Sequence, residues 1–398
     1  MDKKNFLKSG LVLILLIVLC YVANVTSIPD GIILFEGENL QYLKLYGVTV
    51  ETSTTTSSST GKYNLAISLF NKIPLRDISV NIIPKTSVVP VGNSIGIKLY
   101  TSGVLVVGMS EIYGDNNQVY KPYENSGIEE GDMIVEVNND VVTCTSELID
   151  VVNKYKGEDL ELKYSREGNI YTTNISPAKV DDKYKLGLWV RDGTAGVGTI
   201  SFYEPSTGMF AALGHGIVDV DTEKLLSIST GEILSTNIIS IQRGEKGKPG
   251  ELKGAILNSQ SIGKIYKNTD FGIYGKLENT GVLNINKGDV VEVATRDEIK
   301  KGKAELICTL ENNLREKYEV EVETIYKNNN SNNKSMIIKV TDERLIDKTG
   351  GIIQGMSGSP IVQNGKLIGA VTHVLVNDPT MGYAVFADLM VKKIREVE

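Results

Sequence analysis

The chain has few of the residues that bind metal ions or form disulfide bonds. Its 398 residues include three cysteines and two histidines. Cys20 lies in an apolar N-terminal segment, and Cys144 and Cys308 fall in different predicted domains, so we expect buried free thiols. These residues lack the number and spacing of zinc ligands. The sequence therefore predicts no metal ion and no cofactor.

Basic residues are not in excess either. The net charge is −7, from 42 Lys and Arg against 49 Asp and Glu, which argues against nucleic acid as a partner. The hydrophobic fraction of 41% excludes a largely disordered chain. The 39 glycines punctuate many short strand-like runs. This composition predicts a mainly β protein with two or three domains.

A basic flank precedes a long apolar run at the N-terminus. Lys3, Lys4 and Lys8 come before the apolar residues 10–23, a pattern typical of a secretory signal or a short signal-anchor. No small residues mark a cleavage site, so residues 1–27 are predicted to be a signal-anchor. The positive-inside rule then places the rest of a single-pass chain on the extracytoplasmic side of a membrane.

Two further units are predicted before the C-terminal half. Residues 28–88 read as an extracytoplasmic spacer or a small β unit around the polar run 51–60. Residues 89–180 contain "SGIEEGDMIVEVNN" between strand-like segments, which resembles a bacterial, protease-associated PDZ domain. The resemblance places the carboxylate-binding loop at Ser94, Ile95, Gly96 and Ile97. Such a domain either binds an extended peptide by strand addition or serves as an intramolecular packing module.

A glycine-flanked serine is the first candidate for chemistry in residues 181–398, a domain of many short strands. The run "GMSGSP" places Ser357 between Gly355 and Gly358. It predicts either a tight turn or a nucleophile on a sharp loop. In the second case the backbone N–H groups of Gly355 and Ser357 would converge as an oxyanion hole.

A serine nucleophile needs a base, and the chain offers two histidines. His215 sits between glycines in "LGHGI", 142 residues before Ser357, and this order is that of chymotrypsin-type double barrels. His373 lies in the strand-like run "GAVTHVLV". The segment from Gly355 to this strand resembles the trypsin-like serine motif, which places Thr372 and His373 in the substrate cleft. Met356 stands where trypsin-like zymogens have an aspartate.

The acid of a catalytic triad has two candidates. Asp270 precedes apolar strand residues in "NTDFGIYG", and Asp342 lies 15 residues before Ser357 in "KVTDERLI". The apolar neighbourhood favours Asp270, although either residue fits an ordinary turn aspartate. The sequence leaves both open.

The order of these motifs resembles the SpoIVB peptidase family along the whole chain. "LGLWVRDGTAGVGTISFY", "ALGHGI", "TDFGIYG" and "GMSGSPI" carry the resemblance. It implies a chymotrypsin-like double β-barrel and a serine endopeptidase of spore-forming bacteria, secreted into the space between the two forespore membranes. It also implies cleavage of the chain itself and then of a membrane-bound regulator of an intramembrane protease, which releases a late mother-cell sigma factor. The family assigns the acid to Asp342.

Two consequences remain as expectations. Self-cleavage would fall between the anchor and the PDZ domain, within about residues 28–88, because no signal-peptidase site is evident and a polar segment lies there. The alternative to an enzyme is a PDZ-bearing scaffold with an inactive protease barrel, in which Ser357 and His215 are turn residues.

Overall fold

A computed structural model describes residues 12, 15–19, 21, 31–38, 48–51, 60–69, 73–114, 118–283, 287–311, 314–327 and 332–397. Within these residues the chain is mainly β, as predicted. No helix among them combines the length and apolar character needed to cross a membrane. The predicted signal-anchor lies largely outside the described residues, and so do residues 52–59 of the polar run.

A four-stranded sheet occupies the predicted small β unit. Its strands are β1 (Gly31–Phe35), β2 (Val48–Glu51), β3 (Gly61–Leu69) and β4 (Ile73–Ile83), in the order β1-β4-β3-β2. Strand β1 runs parallel to β4. Ile33 and Phe35 are buried in the largest hydrophobic core of the molecule. Because apolar burial is the main source of docking free energy, this sheet is attached to the C-terminal half of the chain.

The next segment combines two long strands with a compact insertion. Strand β5 (Ser87–Pro90) leads into the 16-residue strand β6 (Ser94–Met109). The insertion then contains β7 (Ile112–Tyr113), β8 (Val119–Tyr120), β9 (Met133–Val137), β10 (Asp140–Val141), α1 (Thr145–Lys154), β11 (Leu160–Arg166), β12 (Asn169–Ile175), β13 (Ala178–Val180) and β14 (Lys183–Lys185). It has its own core, in which Val104 and Val106 of β6 pack with Leu148, Val152 and Leu162. This is the unit with the predicted PDZ character.

Six strands close a first barrel. Besides β6 they are β15 (Leu188–Tyr203), β16 (Met209–Ala212), β17 (Ile228–Gln242), β18 (Glu251–Thr269) and β19 (Gly272–Leu277). Each pairs with two neighbours in the ring β6-β15-β16-β19-β18-β17. Ile95, Leu99, Phe210 and Ile233 fill its interior.

The barrel corrects two expectations from the sequence. Ser94, Ile95, Gly96 and Ile97 do not form a loop, because they are the first residues of β6. All four pair with β15, and Ile95, Gly96 and Ile97 also pair with β17 on the other side. Their place in a closed ring leaves no free backbone edge for a peptide carboxylate. The boundary at residue 180 also differs, since the first half of β6 belongs to the barrel and the PDZ-like unit is inserted between β6 and β15.

A second six-stranded ring follows in the order β21-β22-β23-β26-β25-β24. The elements of this part are the 3-10 turns Thr280–Leu283 and Lys287–Asp289, β20 (Val291–Val293), β21 (Gly302–Thr309), β22 (Arg315–Ile325), β23 (Met336–Val340), α2 (Glu343–Thr349), β24 (Pro360–Gln363), β25 (Lys366–Leu375), β26 (Asp378–Phe386) and α3 (Ala387–Arg395). In β22, Tyr318, Val320 and Val322 point inward and alternate with glutamates, the period-2 pattern that fits a barrel wall. The double barrel expected from the sequence is therefore present.

Candidate active site

A cavity of about 780 Å³ lies where the two barrels meet. The first barrel contributes His215 and Asp270 to its wall, and the second contributes Ser357 and His373. These four residues are separated by up to 158 positions in the sequence. The fold thus brings the predicted nucleophile, both histidines and one of the two candidate acids to one concave surface.

The turn that carries Ser357 is held from both sides. The N–H of Thr199 on β15 donates to the Ser357 carbonyl at 3.1 Å, and the Thr199 hydroxyl donates to the Gly355 carbonyl at 2.8 Å. Gly358 has a φ of +98°, and a Cβ there would lie 2.1 Å from the Thr199 carbonyl oxygen. Only glycine fits so close an approach of two backbones. The turn therefore has one conformation, which leaves Ser357 half-buried at the cavity wall.

Two backbone N–H groups at this turn have no protein acceptor among the described residues. Those of Gly355 and Ser357 donate no hydrogen bond to another described residue. Each is nevertheless fixed, because the carbonyl at the other end of its peptide is bonded: Gln354 accepts from Leu252 N at 2.8 Å, and Met356 accepts from Ser359 N at 2.9 Å. A trans peptide directs its N–H opposite to its C=O. Both N–H groups are therefore held in fixed directions beside Ser357.

His215 follows strand β16 on a sharp turn. Gly214 has a φ of +70°, and a Cβ there would lie 3.1 Å from the Thr372 side chain, so the loop packs directly on β25. The imidazole Nδ1 lies 2.8 Å from the Gly216 carbonyl oxygen. A carbonyl can only accept, so this contact favours the tautomer with the proton on Nδ1 and leaves Nε2 as an acceptor. Burial lowers the pKa of His215, against the smaller raising effect of the Gly216 bond.

His373 is in contact with His215. The two ring centres are 4.9 Å apart and the ring planes are inclined by 38°. Desolvation in the cavity, together with the charges of His215 and Lys334, lowers the pKa of His373 to about 4. The Thr372 side chain is buried and its hydroxyl donates to the Asn333 carbonyl at 3.1 Å. Both residues expected in the cleft line the cavity.

The hydroxyl of Ser357 does not point to the base in this structure. It donates to the main-chain carbonyl of Thr372 at 2.8 Å, and no hydrogen bond joins it to His215 among the described residues. A hydroxyl whose proton is held by a carbonyl is not activated for attack. The arrangement is therefore a resting one, in which the Ser357 side chain must rotate before its proton can pass to an imidazole.

Asp342, one of the two candidate acids, is occupied elsewhere. It caps helix α2 by accepting from the N–H of Arg344 at 3.0 Å, and it also accepts from the Glu319 N–H at 3.1 Å. The Arg344 guanidinium hydrogen-bonds to the carboxylate and lowers the pKa of Asp342. Asp342 does not line the cavity that holds Ser357. The expectation that it orients His215 disagrees with this placement, because its oxygens already satisfy a helix end.

Asp270 lies in the cavity, between β18 and β19. Its main-chain carbonyl accepts from the Asn333 side chain at 3.0 Å, and its side chain is exposed. Neither Asp270 nor Asp342 hydrogen-bonds to His215 within the described part of the chain. Position favours Asp270, which shares the cavity with the histidine.

Asn268 holds the loop next to His215, a structural role that the sequence did not reveal. Its buried amide accepts from the Ile217 N–H at 2.9 Å and donates to the carbonyls of Ile217 at 2.7 Å and Leu226 at 3.0 Å. These bonds close the base of the loop that follows His215. The partners lie 51 and 42 residues away along the chain, so no local spacing rule could have indicated them.

A second cavity, of about 590 Å³, lies on the PDZ-like unit. Leu148, Ile149 and Val152 of α1 form one wall, and the segment 186–190 forms the other. At the start of β15, Leu188 and Trp189 pair with β6 on one edge. The groove between α1 and this segment is the place where an extended peptide could add to the unit, about 90 residues from the loop that the sequence suggested.

Two β-barrels that meet at a cavity, with a serine from one and a histidine from the other, are the architecture of chymotrypsin-like serine peptidases. Residues 182–391 match the SpoIVB peptidase S55 family model, and the chain belongs to this family.

Other similarities cover less of the molecule. The chain is 29% identical over 110 residues to a putative zinc metalloprotease of Lactococcus lactis, covering 26% of each protein. It is 31% identical over 134 residues to the zinc metalloprotease RasP of Shouchella clausii, covering 30% of each. The chain thus spans less than a third of these relatives. A solved protease of M. tuberculosis in its active form aligns with a TM-score of 0.30 at 11% identity, over 51% of this chain and 74% of that one.

Proposed function

We propose that this chain is a serine endopeptidase with Ser357 as nucleophile and His215 as general base. The observation that carries the proposal is the pair of fixed, unpartnered N–H groups of Gly355 and Ser357, which flank a serine in the cavity that also holds His215. Two fixed backbone donors beside a serine are the arrangement that stabilises the oxyanion in acyl transfer.

The reaction follows from this geometry. The Ser357 hydroxyl leaves the Thr372 carbonyl, its oxygen bonds to the substrate carbonyl carbon, and its proton passes to Nε2 of His215. The negative charge on the carbonyl oxygen is stabilised by the two N–H groups. The C–N bond then breaks, and the imidazolium returns the proton to the leaving amine. In the second half of the reaction His215 takes a proton from water, and the water oxygen attacks the acyl carbonyl. The bond to Ser357 then breaks, and the proton returns to the serine oxygen.

Asp270 is the acid that we assign to this site. It shares the cavity with His215, and its side chain forms no ion pair with a described residue, whereas Asp342 is paired with Arg344. In the active arrangement the Asp270 carboxylate would replace the Gly216 carbonyl as the acceptor for Nδ1–H, and it would stabilise the imidazolium that forms.

Family membership supports a place in sporulation. On this basis the chain is anchored by residues 1–27, faces the space between the forespore membranes, cleaves itself within about residues 28–88, and then cleaves a membrane-bound regulator that controls processing of a late sigma factor. The groove between α1 and residues 186–190 would bind the peptide partner. The N-terminal basic flank and apolar run support the anchor.

Incubation of the purified chain alone tests the enzyme and its self-cleavage together. We expect the parent chain to become shorter, with mass spectrometry placing the new N-terminus within residues 28–88, and Ser357→Ala to stay intact. Mixing intact Ser357→Ala with active parent should restore the cut. A Ser357→Ala chain that is shortened like the parent would identify another protease as the cause and would favour an inactive scaffold.

A further inference from the structure

The loop between β17 and β18 reaches from the first barrel to the second. It comprises residues 243–250, and Pro249 of this loop lines the cavity that holds Ser357. The loop belongs to the barrel of His215, whereas the segment that it contacts, residues 349–355, belongs to the barrel of Ser357. Contacts between these two segments therefore link the two halves of the proposed active site.

Main-chain hydrogen bonds hold the end of the segment next to the nucleophile. The Gln354 N–H donates to the Gly250 carbonyl at 2.9 Å, and the Gln354 carbonyl accepts from the Leu252 N–H at 2.8 Å. The Gln354 carbonyl and the Gly355 N–H belong to one planar peptide, so the direction of one sets the direction of the other. The first barrel thus orients one of the two donors proposed for the oxyanion.

The other end of the segment is held as closely. The Gly244 N–H donates to the Thr349 carbonyl at 2.8 Å. Gly350 has a φ of +77°, and a Cβ there would lie 2.2 Å from the Gly244 carbonyl oxygen. A Cβ on Gly250 would lie 2.6 Å from the Ile353 side chain. Glycine permits this approach of the two backbones, and a larger residue at Gly250 would push the segment away.

The two oxyanion donors depend on different barrels. Met356, between Gly355 and Ser357, is fully buried in the largest core, and its carbonyl accepts from the Ser359 N–H at 2.9 Å. The second barrel therefore fixes the Ser357 N–H by its own contacts. The Gly355 N–H instead depends on the strand and loop of the first barrel, so the pair of donors requires that contact.

We propose that the 243–250 loop is a positioning element of the active site, which acts through residues 349–354 and holds the Gly355 N–H where the oxyanion forms. The role rests on the proposed function. Displacement of the loop should remove one oxyanion donor and leave Ser357 and His215 in place. Stabilisation of the oxyanion and activation of the nucleophile should therefore be separable by substitution in this loop.

The rate of labelling by a fluorophosphonate measures the first of these, because negative charge develops on its phosphoryl oxygen when Ser357 attacks. Gly250→Ala in the full chain should slow this labelling by at least about tenfold, part of the loss that follows removal of one oxyanion donor. Gly288→Ala is the matched control. Gly288 is exposed in a 3-10 turn, and a Cβ there meets no atom within 4 Å, so its labelling rate should equal that of the parent.

A second reaction measures the nucleophile and the base without an oxyanion. In Ser357→Cys the thiol proton passes to His215, the sulfur attacks the methylene carbon of iodoacetamide, and iodide leaves. Peptide mapping separates the label at position 357 from label on Cys144, which is partly exposed. Adding Gly250→Ala should leave the alkylation rate at position 357 unchanged. A general loss of structure would instead slow both reactions.

Labelling of folded Gly250→Ala at the parent rate, or equal slowing of labelling and alkylation, would overturn the positioning role. If Gly250→Ala fails to fold, Gly244→Ala provides the same test with a smaller displacement, since its Cβ would lie 3.3 Å from the Ile353 side chain. A folded parent that is never labelled would refute the proposed function and this role with it. A labelled parent with an unaffected Gly250→Ala would refute this role alone, so the two failures are distinguishable.

Discussion

The hydroxyl of Ser357 donates to the carbonyl oxygen of Thr372 at a distance of 2.8 Å. This bond ties the proposed nucleophile to the strand that also carries His373, rather than to His215. It defines the described conformation as a resting state. Activation requires rotation of the Ser357 side chain, while the backbone on both sides of the serine is already fixed by Thr199 and by the paired peptides of the turn.

Gly355→Ala should impair catalysis more than folding. Gly355 has a φ of +94°, and its Cβ would lie 2.9 Å from the Leu252 side chain, so alanine must displace the N–H that serves the oxyanion. Loss of one such donor costs about a hundred- to a thousandfold in kcat. Gly365→Ala is the control, because Gly365 has a φ of +76° with open space around it. Both variants carry the left-handed backbone cost of roughly 1–2 kcal/mol; equal kcat values would refute the assignment.

If Asp270 is the acid, Asp270→Asn and Asp342→Asn should differ strongly in kcat. Asp270→Asn should lower kcat by on the order of ten-thousandfold, because the imidazole would adopt the wrong tautomer. Asp342→Asn should leave kcat nearly unchanged, since asparagine caps helices as well as aspartate does. Its thermal stability should fall slightly, because the pair with Arg344 is worth about 0–1 kcal/mol. The reverse pattern in kcat would return the acid to Asp342.

In a plot of kcat/KM against pH, the loss of activity on the acid side should occur below the usual pKa of histidine. Burial lowers the pKa of His215 from 6.5, and a general base acts only when it is neutral, so kcat/KM should fall only at pH values below 6.5. Stability should follow the same direction: the unfolded chain takes up protons below pH 6.5, whereas folded His373 does so only near pH 4. A midpoint above 6.5 would contradict the burial of the base.

If the groove on the PDZ-like unit binds peptides, Ile149→Asp should impair peptide binding alone. Ile149 is 53% exposed and lines the groove, so a charge there should abolish binding of an apolar peptide without changing stability. Fluorescence polarisation with labelled peptides that end in valine or leucine and a free carboxylate measures it, with the C-terminal amides for comparison. Asp150→Asn, the next residue on α1 and outside the groove, should bind as the parent does. Equal binding by both variants would place the peptide site elsewhere.

The sequence predicted the residues that share the cavity better than it predicted the boundaries of the structural units. Glycine on both sides of Ser357 and His215 marks positions where backbones approach closely, and that requirement is local. With two histidines in the chain, the base had few alternatives. The mainly β class followed from strand-like runs between glycines, and alternation such as that in β22 is visible in the sequence itself.

The sequence pattern could not predict that the PDZ-like unit is inserted between β6 and β15. Strands β6 and β15 each serve two cores, with Ile95 and Leu99 in the barrel and Val104 and Val106 in the insertion. A strand that crosses from one core to another keeps its period of two throughout. The pattern therefore gave no boundary, and the residues 94–97 were placed in the wrong unit. The sequence left Asp270 and Asp342 both open for a related reason: a helix cap and a catalytic acid both call for a carboxylate after a strand.

Reaction with a fluorophosphonate measures the central claim, that Ser357 is an activated nucleophile, most directly. The folded chain should be labelled at one residue, and peptide mapping should place the label on Ser357. His215→Ala should be labelled far more slowly, and Ser357→Ala and the heat-unfolded parent should not be labelled. Absence of label on Ser357 in the folded chain, or equal labelling of parent and His215→Ala, would contradict the account.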